Sequence, residues 1–244
     1  MSESIKHGTK KSSTPRRSFL KTSAGVAGGL ILPASYSGSA LAAEAGHPPI
    51  GNYPAGVSGD TVVAGLTLDL TGPYSAEGAG QQRGFELAAE MLNNGDERIK
   101  PVSPLTKQGI LGKKVVLAIG DAETRPNSAV QAATRFLRQD KAMMIAGSVS
   151  SSVAIALQNT CERAKTLYFS VISGSSDTTG KDCRRYGFRL CHHAYTAANA
   201  LAPILARDYG KDMKAIYLVP DYNYGHSIHD HMREFTEAQG WTTI

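Results

Sequence analysis

From residue 61 onward, short apolar runs alternate with longer amphipathic ones. Residues 62–68 read as a strand, and 71–78 supply turn residues. Residues 81–93 then place Phe85, Ala88, Ala89 and Leu92 at helical spacing. The rhythm repeats with a strand over 113–121 and a helix that Pro126 opens, its Val130, Ala133 and Leu137 on one face. A strand over 142–147, a helix over 150–164 and a strand over 167–173 follow. Beyond a polar loop come a short apolar run at 186–190, a helix over 196–210, a strand over 214–220, a helix over 224–240 and the closing 241–244. This alternation predicts an α/β fold, a parallel sheet with helices on both faces. The run 215–220, apolar without alternation, is what a strand buried on both faces requires.

In such sheets ligands bind outside the carboxyl ends of the strands, where the next helices begin. The stretch "GSVSSS" (147–152) occupies that position, and a second serine cluster, 173–176, ends the following strand. A helix start leaves backbone N–H groups unpaired and carries partial positive charge. Glycine lets a guest approach the backbone, and small serines add donors without filling space. A carboxylate suits such an excess of donors, because it only accepts. Helix capping and turn formation are the competing explanation for each serine.

Charge narrows the partners. The chain has 244 residues and a formal charge of +5, but six basic side chains, Lys6, Lys10, Lys11, Arg16, Arg17 and Lys21, precede residue 43, against one acid, Glu3. The remainder is balanced, with 20 basic and 20 acidic residues. No nucleic-acid partner or acidic membrane surface is therefore expected. The leader joins the paired Arg16 and Arg17, a weakly apolar glycine-rich segment and the small-x-small site Ala40-Leu41-Ala42. That grammar reads as an export signal of the twin-arginine type over 1–42, cleaved after Ala42 and served by the twin-arginine export machinery. Its apolar part is shorter than the roughly 20 residues that span a bilayer. Residues 43–60, rich in Pro and Gly, read as a flexible lead-in to a periplasmic protein.

The chemistry-bearing motifs mostly exclude. "GAGQQRG" (78–84) has one residue too many for a dinucleotide loop and lies ten residues past its strand, and no GxxxxGK[ST] loop is present, so no nucleotide cofactor is expected. "GSVSS" is not a GxSxG nucleophile elbow, and nothing in the spacing of Asp69, Asp121 and Asp221 marks a catalytic pair, so the chain does not read as an enzyme. His226, His229 and His231 lack an evident fourth ligand, and no metal is expected. The three cysteines are Cys161, Cys183 and Cys191. In an exported protein a Cys161–Cys183 disulfide between adjacent elements is the expectation, with Cys191 free.

"LTGPYSAEGAGQQRGFELAAEMLN" (70–93), "IAGSVSSSVAIAL" (145–157) and "LVPDYNYGHS" (218–227) resemble, in order and spacing, the periplasmic branched-chain amino acid binding proteins, type I solute receptors of ABC importers. The resemblance covers 61–244. It implies two doubly wound parallel-sheet lobes joined by crossovers, with 61–189 as the first lobe and 190–244 as a crossover and the start of an incomplete second lobe. It implies that family members continue well past Ile244, so the chain reads as a C-terminally truncated member. It further implies a small-molecule solute (a carboxylate, amino acid or amide) held between the lobes and delivered to ABC permease subunits, with no covalent chemistry. Carried over by motif, Val149 would offer backbone groups, Ser151 a hydroxyl and its N–H, and Ser175 and Ser173 further hydroxyls. Tyr224 would close from the second lobe. The position before Gly78, often aromatic in amino-acid binders, is Glu77 here, with Tyr74 nearby. A sensory domain on the same scaffold, or a non-functional fragment, is the alternative.

Replacing both Arg16 and Arg17 with Lys is expected to block export. Immunoblotting of periplasmic and cytoplasmic fractions checks this, and normal periplasmic delivery of the double variant would refute the twin-arginine reading.

Overall fold

The structure, a computed structural model, describes residues 59–104 and 106–244. The export leader, with Arg16, Arg17 and the cleavage site after Ala42, lies outside the described residues. Five parallel strands form the main sheet: β1 (Thr61–Leu68), β2 (Lys114–Asp121), β3 (Met144–Gly147), β4 (Leu167–Ser170) and β5 (Gly187–Arg189), in the order β2-β1-β3-β4-β5. Order reverses beside β1, the switch point at which α/β sheets open a crevice beyond their carboxyl ends. The connecting helices are α1 (Ser75–Asn94), α2 (Pro126–Arg138) and α3 (Ser151–Ala164). After β5 come α4 (Ala194–Tyr209), β6 (Lys214–Ala215), α5 (Asn223–Glu237) and β7 (Thr242–Thr243), with β6 and β7 paired in parallel.

Alternation along β1 explains the two-sided packing. Val62, Leu66 and Leu68 face α1, where Ala89, Leu92 and Phe85 meet them. Val63 faces the opposite side, with α2 and α3, where Phe136, Val153, Leu157, Ile145 and Tyr168 are fully buried. Phe136 fits because the sheet beneath it is bare: a Cβ on Gly65 would come within 2.8 Å of its ring, and one on Gly120 within 2.9 Å. Gly65 and Gly120 thus make room for one large ring that fixes α2 on the sheet.

Three expectations change. Helix α1 starts at Ser75, inside a stretch read as turn, because Gly72 (φ 88°) completes the turn early. A Cβ on Gly78 would lie 2.0 Å from the carbonyl oxygen of Asp69, so this glycine lets the first turn of α1 close on the end of β1. The strand expected over 214–220 pairs only at Lys214 and Ala215, since its partner β7 is two residues long. Leu218 is 100% exposed and Ile216 76% exposed. The Cys161–Cys183 bridge does not form; all three thiols are free. Cys161 lies at the same helical face as Val153 and Leu157 and is buried in the α2–α3 core, whereas Cys183 is exposed in the loop before β5. Among the described residues no helix is long and apolar enough to cross a membrane.

Burial pushes the Cys161 thiol up to about 12, so it reacts only when the fold opens. Thiol titration of the native protein is expected to modify Cys183 rapidly and Cys161 only in denaturant. A native protein with neither thiol reactive, and both recovered on reduction, would reinstate the bridge.

Candidate functional site

The turn leaving β3 sets the geometry of the crevice. Gly147 adopts φ 120°, where a Cβ would lie 2.4 Å from the Thr67 carbonyl oxygen, and Ser148 follows at φ 72°, a left-handed conformation that serine adopts only at a cost. The result aims the Val149 N–H at the Asp69 Oδ2 of β1's end, 2.7 Å away. The backbone donor that the sequence assigned to a solute is therefore taken by the protein's own carboxylate. Asp69 is fully buried, and among the described residues its Oδ1 has no hydrogen bond within ordinary geometry, with Thr124 and the Ser150 N–H nearby. Burial raises its pKa above the ordinary 3.8, partly offset by the Val149 N–H.

The serines divide by role. Ser150 is the residue before α3 and makes no side-chain cap. Ser151, at the first turn, is fully buried, and its Oγ accepts the Ser175 N–H at 3.2 Å. That leaves the Ser151 hydroxyl proton available to a guest. Ser175 caps the 3-10 turn Ser176–Thr179 by accepting the Asp177 N–H at 3.2 Å, as the bland reading of a turn serine has it. The Ser173 hydroxyl donates to the Ser148 carbonyl at 3.3 Å, so its proton is already used in holding the two serine loops together. Ser151 and Ser175 are adjacent, as expected; Ser173 ties the loops from behind.

The opposite wall comes from the start of α5. The Tyr224 ring lies over Gly174 so closely that a Cβ there would meet it at 2.9 Å. Ser152 donates to Asn223 Oδ1 at 2.8 Å, and the Ser176 N–H donates to Ser227 Oγ at 3.0 Å. Tyr74, at the start of α1, donates its hydroxyl to that of Tyr222 at 3.0 Å across the crevice. Glu77 stands exposed in the first turn of α1 and makes no hydrogen bond or ion pair among the described residues. Sequence reasoning passed over Asp69, Ser152, Tyr222 and Asn223. The signal for Asp69 was its place at the carboxyl end of β1, directly before the turn. Ser152 and Asn223 carried no local signal beyond standing at helix starts. His231, one of the three histidines of α5, faces Ser176, with Nε2 3.1 Å from Oγ. No group of three His, Cys, Asp or Glu side chains is placed to hold a metal among the described residues.

Hydroxyls line the carboxyl edge of this sheet with α5 over them, and the sequence pattern of the periplasmic binding proteins matches residues 61–244. The chain belongs to the periplasmic binding protein family. It is similar to the Leu/Ile/Val-binding protein homolog 7 of Brucella abortus, 29% identical over 188 residues, 74% of this chain and 43% of that protein. Homolog 8 of Brucella suis is 30% identical over the same shares. Among solved structures, a leucine binding protein of Thermotoga maritima superposes with a TM-score of 0.62 at 22% identity, over 75% of this chain and 48% of that one. A solute binding protein of an ABC transporter from Rhodopseudomonas palustris, in complex with 3,4-dihydroxybenzoic acid, gives 0.62 at 21%, over 76% and 46%. These periplasmic binding proteins share the type I fold with the chain, which spans less than half their length.

Asp69 provides a direct test of the turn. Asp69→Ala leaves the Val149 N–H without its acceptor and is expected to lower stability by about 1–3 kcal/mol. Asp69→Asn keeps an acceptor oxygen without the charge and costs less. Because the folded pKa is raised, the folded state binds the extra proton, so the contribution of Asp69 to stability falls as pH climbs from 3.8 through the raised value and levels off above it. Asp69→Asn abolishes that slope. Denaturant unfolding at a series of pH values reads both effects.

Proposed function

We propose that this periplasmic binding protein receives a small carboxylate-bearing solute, an amino acid or aromatic acid, or an amide, between its serine rim and α5, for delivery to an ABC permease. On this reading 61–189 is the first lobe and 190–244 begins the second, and the protein is exported to the periplasm. It binds without covalent chemistry. The observation that carries the reading is the convergence of Ser151 and Ser175, from two neighbouring strand ends, beneath Tyr224 of α5. Ser151 is shielded from water, which strengthens a hydrogen bond from its hydroxyl to a charged oxygen. Tyr74, Tyr222 and Tyr224 cluster at the starts of α1 and α5, the first two joined by their hydroxyls, and their rings suit a planar or apolar body behind a carboxylate. The relatives support both classes, since one solved neighbour is a leucine binding protein and another holds 3,4-dihydroxybenzoic acid.

Two roles open to Ser151 separate by experiment. A hydrogen bond to a charged group is worth about 1.5–3 kcal/mol, so Ser151→Ala is expected to weaken solute binding roughly 10- to 150-fold at tenfold per 1.4 kcal/mol. Stability of the unliganded protein should fall by about 1–3 kcal/mol, because the buried Ser175 N–H loses its acceptor. A thermal-shift screen of amino acids, aromatic acids and amides identifies the solute, and calorimetric titration compares the variants. Unchanged affinity with a much lower melting temperature would make Ser151 a structural residue only.

A further inference from the structure

Ser176 is the most heavily shared hydroxyl on the rim. Its Oγ lies 3.3 Å from His193 Nδ1, the residue before α4, and 3.1 Å from His231 Nε2 of α5, and it accepts the Tyr195 N–H at 3.2 Å. A hydroxyl has one proton and two lone pairs. With one lone pair on Tyr195, the oxygen has a proton for one imidazole and a lone pair for the other. One ring nitrogen must therefore be bare, and the arrangement holds one imidazolium but not two.

Further groups surround the two rings. Glu234 Oε2 stands 3.4 Å from His231 Nδ1. His193 is followed from the other side by Arg189, and Arg189 also donates to the Ser175 carbonyl at 2.6 Å. Burial, then Arg189, His231 and His192, lowers the His193 pKa. From the 3-10 turn, Asp177 is paired with Lys181 at 3.0 Å, and Lys181 also feels Asp230 of α5. His229 of α5 is engaged by Asp230 at 2.9 Å, and Cys191 completes the ionisable groups of the β5–α4 connection, near Arg189. Tyr195 packs edge-on to the His231 ring at 5.3 Å, so the two imidazoles are fixed by stacking as well as by the hydroxyl.

We infer that Ser176 is a positioning residue that, with His193 and His231, holds α4 and α5 on the serine rim as long as one of the two ring nitrogens stays bare, so that acid loosens the cover over Ser151 and Ser175. This rests on the reading of the rim as the solute site. Its sign follows from the lowered His193 value: the contribution is complete above the ordinary imidazole value of 6.5 and is lost as pH falls through the folded one. A serine that only capped a turn would give no such profile.

Histidine ring titration by NMR on the full chain tests this, with His193→Asn and His231→Asn assigning the signals. In the wild type His193 is expected to titrate below the ordinary imidazole value of 6.5, and in Ser176→Ala its midpoint moves back toward that value. Native-state exchange of the α5 amides, corrected for intrinsic rate, rises as pH falls through the His193 midpoint and loses that rise in His193→Asn. In Ser176→Ala it is faster by at least about tenfold at neutral pH, the equivalent of ~1.4 kcal/mol. His193 titrating at or above 6.5 in the wild type, or α5 exchange flat across that range, overturns the inference, and the wild-type measurement decides even if Ser176→Ala fails to fold. Calorimetric titration with leucine and 4-hydroxybenzoate tests the solute reading separately. Binding with pH-flat exchange removes the latch alone, and a lowered His193 midpoint with pH-dependent exchange but no solute bound across the screen removes the solute site alone.

Discussion

The crevice depends on one buried bond, the Val149 N–H donated to the Asp69 carboxylate. It joins the end of β1 to the turn after β3 and so dictates where α3 begins. A left-handed serine and a glycine that tolerates no Cβ are held in place around it. An unpaired carboxylate in that position would be costly, and so would the N–H without it; together they lock a strained turn that neither could hold alone. The hydroxyl of Ser151 inherits its position from that lock.

The two faces of the structure are held by different forces. Below the crevice, α2 and α3 bury rings and branched chains against the sheet, where Phe136 fills the gap left by Gly65 and Gly120. Above it, α5 meets the sheet unit through hydroxyl, amide and imidazole contacts, with Tyr224 on Gly174 as a close ring contact. Burial of apolar area is non-directional and strong, while the upper contacts are directional and individually weak. The upper assembly is specific without being tightly bound.

How much of this was legible follows from distance along the chain. The sheet, its helices and the serine rim announced themselves locally, through apolar periods and the abrupt change from 142–146 to "GSVSSS". Cys161 was misread as bridged, although it repeats the spacing of Val153 and Leu157, the mark of a packed thiol. The far wall was not legible. Ser152 meets Asn223 across 71 residues and Tyr74 meets Tyr222 across 148, and no local period encodes such a meeting. The start of α1 was hidden because Gly72 and Pro73 read as turn whether or not a helix follows at once. The strand over 214–220 was overread because apolar composition reports burial only when a neighbouring strand exists to pair with it.

The polarity of the upper contacts has a thermodynamic consequence. Hydrogen bonds exchanged for water differ from it by only about 0.5–1.5 kcal/mol each, so the covered and uncovered arrangements of α5 lie close in free energy. Two states so nearly balanced respond to small inputs: a guest contributing one or two charged hydrogen bonds to the covered state alone shifts their ratio by orders of magnitude. An apolar cover of the same size would stay shut with or without a guest. On the proposed reading, the polar seam makes occupancy, and not the fold itself, the variable that sets the shape the protein presents to its surroundings.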